Sequence, residues 1–157
     1  MAKVRGPDRV RAALRALGLD CDVVTLPDST RTADEAARAV GCSVGEIAKS
    51  LVFRAGERAV VAVLSGEDRL DPAKLAAAVG SEVARADARF VRDATGFAIG
   101  GVPPVGHSGP VTLFMDTRLL RYRRVWAAAG SPHAVFAIEP DRLREAGGAA
   151  VADLGAG

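Results

Sequence analysis

Residues 49–66 read KSLVFRAGERAVVAVLSG, and the reading of this stretch decides the fold. Two runs rich in valine, leucine and phenylalanine flank Ala55-Gly56-Glu57, so the stretch predicts a β-hairpin turning around Gly56. Its first strand starts at or just after Lys49. Upstream, residues 7–17 place Val10, Leu14 and Leu17 on one helical face, with Gly18 as the stop. CDVVTL (21–26) follows as a strand. In RTADEAARAVG (31–41), Thr32 and Glu35 have capping-box spacing and Gly41 suits the position after a helix. A second box, Ser43 with Glu46, opens a short helical turn that runs into the hairpin.

Downstream, Asp71-Pro72 starts a helix ending at Gly80, and another begins at Asp87 and stops near Gly96. After a Gly/Pro loop at 96–110, VTLFMD (111–116), RRVWAAAG (123–130) and AVFAIE (134–139) read as successive strands. A helix at 140–146 and a strand in AAVADL (149–154) complete the pattern. Helices interleave with strands, yet several strands are joined by short turns. That combination predicts an α+β fold with a mixed sheet in a single domain, residues 1–157.

The 157 residues are enough to bury a core without disulfide or metal staples, and no apolar run is long enough to span a bilayer. The first residues, MAKVRGPDRVRAAL, lack the apolar centre of a signal peptide, which predicts a cytoplasmic protein with no membrane partner. Cys21 and Cys42 have no metal-ligand spacing and are expected to be reduced and partly buried. A net charge of +2 argues against gripping long nucleic acid through many phosphates, while leaving room for contact with one RNA end. Of the 21 basic residues only Lys3, Lys49 and Lys74 are lysines, which draws attention to Lys49 in the middle of the apolar EIAKSLVF. Its charge is either solvated or, if it faces a cleft, a fixed cation for a phosphate, hydroxyl or carboxylate.

GVPPVGHS (101–108) comes one letter short of the phosphate loop G-x-x-x-x-G-K-S/T, with His107 in place of the lysine. Pro103 and Pro104 have no N–H to offer a phosphate, and no helix start follows. Two readings remain: a rigid surface turn between helix and strand, or a cradle. In the second, N–H groups of Gly100, Gly101 and Val102 receive a carbonyl or oxyanion while the prolines stiffen the loop. GHSGP is not a serine-hydrolase elbow, because its second glycine is one place early. His107 and His133 are too far apart in sequence to suggest zinc. The segment TRLLRYRRVW sets Arg118, Arg121, Arg123 and Arg124 around Tyr122 and Trp126. It reads as a solvated strand face, or as a surface for a single-stranded RNA end.

The blocks TADEAARAVGCSVGEIAKSLVFR, GFAIGGVPPVGH, VTLFMDTRLL and VWAAAGSPHAVFAI, followed by VADL, together resemble the YbaK/EbsC family. Their order is that of the family, and they span about residues 10–154. That family contains free-standing aminoacyl-tRNA deacylases and the editing domain inserted in bacterial prolyl-tRNA synthetase. The resemblance implies a mixed, barrel-like sheet flanked by helices and a cleft for the aminoacylated 3′ end. It implies hydrolysis of the ester on a mischarged tRNA, with no metal or other cofactor and no DNA partner. Prolyl-tRNA synthetase is an implied further partner.

Under that resemblance Lys49 is the principal side chain, anchoring the terminal ribose or phosphate, and the Gly101 N–H polarises the ester carbonyl. The remaining substrate-binding candidates are Thr32, Ser50, Phe53, Gly100, Val102, Pro103, Pro104, Gly106, His107, Gly130, Ser131 and His133. Arg121, Arg123 and Arg124 are the candidates for the tRNA. Some relatives carry an acidic residue where this chain has HAVFAI, so cysteine, alanine and other small amino acids all stay open as the group removed. The alternative reading is a non-catalytic module that binds a tRNA end or aminoacyl-adenosine beside a synthetase.

Overall fold

The structure is a computed structural model that describes residues 6–156; Lys3 and the two ends of the expected 1–157 domain lie outside the described residues. Five helices are present among these: α1 (Gly6–Ala16), α2 (Ala33–Val40), α3 (Pro72–Val79), α4 (Ala88–Thr95) and α5 (Pro140–Gly147). The strands are β1 (Val23–Thr25), β2 (Ile47–Ala55), β3 (Arg58–Ser65), β4 (Ala84–Arg85), β5 (Val111–Asp116), β6 (Val125–Ala128), β7 (Ala134–Ile138) and β8 (Ala150–Ala152). They form one mixed sheet in the order β1-β7-β6-β2-β3-β5-β8, with β4 pairing β2 off this path.

The hairpin around Gly56 forms the spine. Its register runs from Ala55↔Arg58 to Ala48↔Ser65. Residues 60–64 of β3 are wholly shielded from solvent. Their alternation divides the interior in two: Val61 and Val63 face α1, α4 and α5 through Val10, Leu14, Val91 and Leu143. Val60, Ala62 and Leu64 face Leu75 of α3 and Leu154. At about 1.5–3 kcal/mol for each fully buried valine or leucine, this strand contributes more burial than its length suggests. The helix boundaries follow the local signals. Thr32 and Glu35 form a reciprocal capping box, and Asp71 and Asp87 cap α3 and α4 through their side chains.

Three expectations change. Strand β2 begins at Ile47, so Lys49 sits inside it rather than at a helix-to-strand junction. The arginine-rich segment is not one strand face: 117–121 forms a 3-10 turn that turns Leu119 into the core, and β6 starts only at Val125. The loop after Gly96 is no surface turn, because residues 101–105 are buried and Val102 and Val105 join the main core. Its backbone is tied to the β6–β7 turn, where the Gly130 N–H donates to the Gly101 carbonyl at 2.9 Å.

That junction has no room for a side chain. A Cβ on Gly130 (φ +88°) would lie 2.5 Å from the Gly6 carbonyl group, whereas Gly148 (φ +68°) has open space. Gly148→Ala should therefore cost about 1–2 kcal/mol, the left-handed backbone alone. Gly130→Ala should lose a further ~1–3 kcal/mol by overpacking, measured from urea unfolding midpoints.

Candidate functional site

Strand β2 is paired along β3 from Ala48 to Ala55 but only in part along its other edge. There β6 pairs with Ile47 and Ala48, and β4 with Phe53 and Arg54. Between them, residues 49–52 have a strand partner only on the β3 side. The loop carrying Ile99, Gly100 and Val102 faces this gap, and two cavities open there, of about 690 and 310 Å³. Both are lined by Lys49, Ser50, Leu51, Ile99, Gly100 and Val102. The larger extends past Phe53, Arg69, Leu70 and Arg85. The smaller runs between Thr32, Ala33 and Ala36 on one side and Trp126, Ala127 and Val135 on the other.

Lys49 stands on the divide between the cavities. Its Nζ donates to the main-chain carbonyl of Asp68 at 2.5 Å. Burial pushes the lysine below its ordinary pKa; the Asp68 carboxylate opposes that and the Arg69 charge adds to it. The other ionisable residues lining the cavities are Arg31, Arg69 and Arg85, and no carboxylate lines either one among the described residues. The cleft is therefore a cationic mouth over an apolar floor, suited to an anionic ligand with an uncharged end. Ser50 Oγ is buried there without a hydrogen-bond partner, and a buried hydroxyl so placed favours a ligand that supplies one.

The expected site residues divide. Lys49, Ser50, Phe53, Thr32, Gly100 and Val102 line the cleft. Gly101 does not, and its N–H is already used, donating to the Ala98 carbonyl at 3.1 Å. The expectation that Gly101 supplies the free donor is thus corrected. Of the three N–H groups considered, those of Gly100 and Val102 carry no internal hydrogen bond among the described residues. Pro103 lies behind the loop, where its carbonyl accepts from His107 Nε2 at 2.8 Å. Pro104, Gly106 and His107 line a separate hollow near Leu17 and Ala146, so their sequence proximity to Gly100 does not bring them to the cleft. Gly130, Ser131 and His133 also lie outside the cavity walls and act as a buttress. The backbone of Ser131 packs on Gly101, and His133 Nδ1 donates to the Asp28 carbonyl at 3.2 Å. Arg121 is engaged with Glu67 and with Tyr122 Oη. Arg123 and Arg124 are exposed, and Arg124 stacks 5.4 Å from the ring of Trp126, a residue of the smaller cavity.

Sequence reasoning missed Arg31, Arg69, Arg85 and Ile99. Arg31 and Arg69 each sit in the loop just before a helix cap, Thr32 and Asp71, so the caps locate the loops without showing that both face the same cleft. Arg85 lies on the two-residue strand β4, too short for any periodic signal. Ile99 is 56% exposed, an apolar tip at the mouth of both cavities.

A sequence profile of the aminoacyl-tRNA editing domain matches residues 27–146. The uncharacterised protein YwhH of Bacillus subtilis (strain 168) is 32% identical over 79% of this chain and 80% of its own length. The proline–tRNA ligase of Thermoanaerobacter sp. (strain X514) is 29% identical over 60% of this chain, which corresponds to 17% of the ligase. A crystal structure provisionally described as a trans-editing enzyme for prolyl-tRNA synthetase superposes with a TM-score of 0.93 at 48% identity, covering 99% of this chain and 100% of that one.

The half-buried lysine has a consequence for stability. Its depressed pKa means that the unfolded chain binds more protons than the folded one between the folded value and about 10.4. Over that alkaline window wild-type stability should rise with pH relative to Lys49→Met, because the penalty for the buried charge is relieved. Urea unfolding of both proteins checks this: the difference in their free energies should slope upward with pH and be flat near neutrality.

Proposed function

The chain belongs to the aminoacyl-tRNA editing domain family, and we propose that it is a free-standing deacylase hydrolysing the ester of a mischarged tRNA, tRNA(Pro) bearing a small amino acid. The observation that carries this reading is the pair of unequal cavities meeting at Lys49. An aminoacylated 3′ end is itself two-part, with a bulky anionic nucleotide on one side of an ester and a small side chain on the other. The larger cavity, flanked by Arg69 and Arg85, suits the terminal adenosine and its phosphate. The smaller, walled by Ala33, Ala36 and Ala127, suits the amino acid. The likeness to a proline–tRNA ligase and to the trans-editing structure supports tRNA(Pro) as the carrier, the cytoplasm as the setting and prolyl-tRNA synthetase as a companion.

On this placement the ester lies over the gap in β2. Lys49 holds the terminal ribose or its phosphate, and the Gly100 and Val102 N–H groups point at the carbonyl oxygen as charge develops. Water adds its oxygen to the carbonyl carbon, the ester C–O bond breaks, and the departing ribose oxygen takes a proton. Attack is assisted by the neighbouring ribose hydroxyl or by the amino acid's own side chain. An ester needs little more than orientation and donors of this kind.

Two measurements test the reading. Purified protein should release amino acid from tRNA(Pro) charged with Cys, Ala or Ser while sparing correctly charged controls, and Lys49→Ala should slow release about 100-fold or more. Full activity in that variant would sink the proposed role of Lys49, and binding without turnover across the panel would identify a recognition module instead. Second, Ala36→Leu fills the smaller cavity. It should abolish release of the largest accepted amino acid first and leave the affinity for uncharged tRNA(Pro) unchanged.

A further inference from the structure

The acceptor for Lys49 is a main-chain carbonyl on the turn at 66–71, and this turn is gripped from two directions. On one side lies the segment after β5. Tyr122 Oη donates to Glu67 Oε1 at 2.7 Å, Arg121 reaches the same carboxylate oxygen, and Arg118 Nη1 lies 3.5 Å from Asp68 Oδ1. The Asp68 side chain is largely buried, unlike that of Glu67. On the other side lies the segment after β8. The Ala156 N–H donates to the Arg69 carbonyl at 2.7 Å, and the Asp71 N–H donates to the Leu154 carbonyl at 2.8 Å. Leu70 and Gly155 form an antiparallel bridge between them. Lys74 Nζ ties the same strap down through the Gly155 carbonyl at 2.6 Å and Asp153 at 3.0 Å.

The fit beneath the turn is close. A Cβ on Gly45 would meet Tyr122 Oη at 2.2 Å and Glu67 Cδ at 2.9 Å, so the hydroxyl–carboxylate pair rests on bare backbone. The same Gly45 offers its carbonyl to Ser65 Oγ at 2.7 Å, which fixes the end of β3 from which the turn departs. Both grips thus converge on six residues of main chain whose hydrogen bond to the cleft's divide is the Asp68 carbonyl on Lys49.

We propose that Tyr122, Arg118 and the main-chain N–H of Ala156 are positioning groups for Lys49, clamping the 66–71 turn from both sides so that the Asp68 carbonyl holds the amine on the divide between the cavities. The inference rests on Lys49 being the group that meets the substrate. Arg121 then serves the fold of the cleft through Glu67 rather than reaching for RNA. Arg118 also faces the Asp68 carboxylate, so the Lys49 amine is held by the main-chain carbonyl of that residue and not by its side chain.

Tyr122→Phe removes one hydroxyl and keeps the ring, and Ala156→Pro removes one N–H at an exposed position beside an already extended residue. Ala156→Pro deletes one hydrogen bond and Tyr122→Phe the two made by its hydroxyl, so in each the rate at which a small water-soluble active ester acylates Lys49 should rise at least about fivefold, with Lys3 as the internal reference. Deacylation should fall by about the same factor in kcat, with melting temperatures near wild type. Unchanged Lys49 labelling in both folded variants would overturn the inference, as would wild-type kcat in a variant whose Lys49 labels faster. If wild-type protein releases no amino acid from any charged tRNA, the deacylase reading fails, while the labelling experiment still decides whether the clamps hold Lys49.

Discussion

The cleft exists because one strand lacks a neighbour along half its length. In a sheet every interior strand is expected to spend its N–H and C=O groups on both sides, and buried groups left unpaired are costly. β2 meets that demand at its two ends only, through β6 and β4, and leaves residues 49–52 facing a hole. The fold supports such a gap because β3, on the other side, is paired throughout and buried on both faces. The gap is then roofed rather than filled. The loop from Phe97 to Val102 reaches across it, held at its far side by the β6–β7 turn through Gly130. A strand edge, a roof and a buttress from three distant parts of the chain thus make one site.

Why the divide carries a lysine in a chain that mostly uses arginine follows from the space and the partner. A single ammonium on a flexible stem fits between two cavities and donates to one carbonyl, whereas a planar guanidinium would need a forked acceptor. The acceptor is also telling. Lys49 is held by a main-chain carbonyl, while the carboxylate of the same residue faces Arg118. The lysine is positioned without being neutralised, and with Arg31, Arg69 and Arg85 it leaves the cleft a positive excess.

Most of the elements were legible because their signals are local. The hairpin showed in two β-rich runs around Gly56, and the helices showed in the capping pairs of Thr32, Asp71 and Asp87. β4 escaped because two residues carry no period, and the Arg118–Arg121 turn was mistaken for a strand because its buried Leu119 leaves only one inward position to read. At the site, Lys49 stood out as a rare lysine among apolar neighbours, and the Gly-Gly pair stood out as backbone able to approach closely. What no spacing could reveal was direction. The Gly101 N–H turns back to Ala98 while its neighbours do not, and His107 turns away to Pro103 although only a few residues separate it from the cleft. Arg85 comes to the rim through the pairing of β4 with β2, and Arg69 through the turn that the segment after β8 holds, both tertiary facts.

On the proposed reading, the division of the cleft also divides the energetics. Contacts in the larger cavity and with the arginines involve the nucleotide, which every aminoacyl-tRNA shares, so they bind all substrates alike and cannot select among amino acids. Selection falls to the smaller cavity. An apolar wall of alanines gains only about 1–3 kcal/mol per methylene it accommodates, too little to single out one small side chain by affinity. Exclusion is the stronger device. Gly101 packed on Ser131, and Val102 seated in the core, fix the roof of that cavity on backbone that cannot retreat without disturbing both the β6–β7 turn and the interior. A side chain too large for the space must therefore move main chain rather than rotate a side chain, and for that reason the expected specificity is a size threshold.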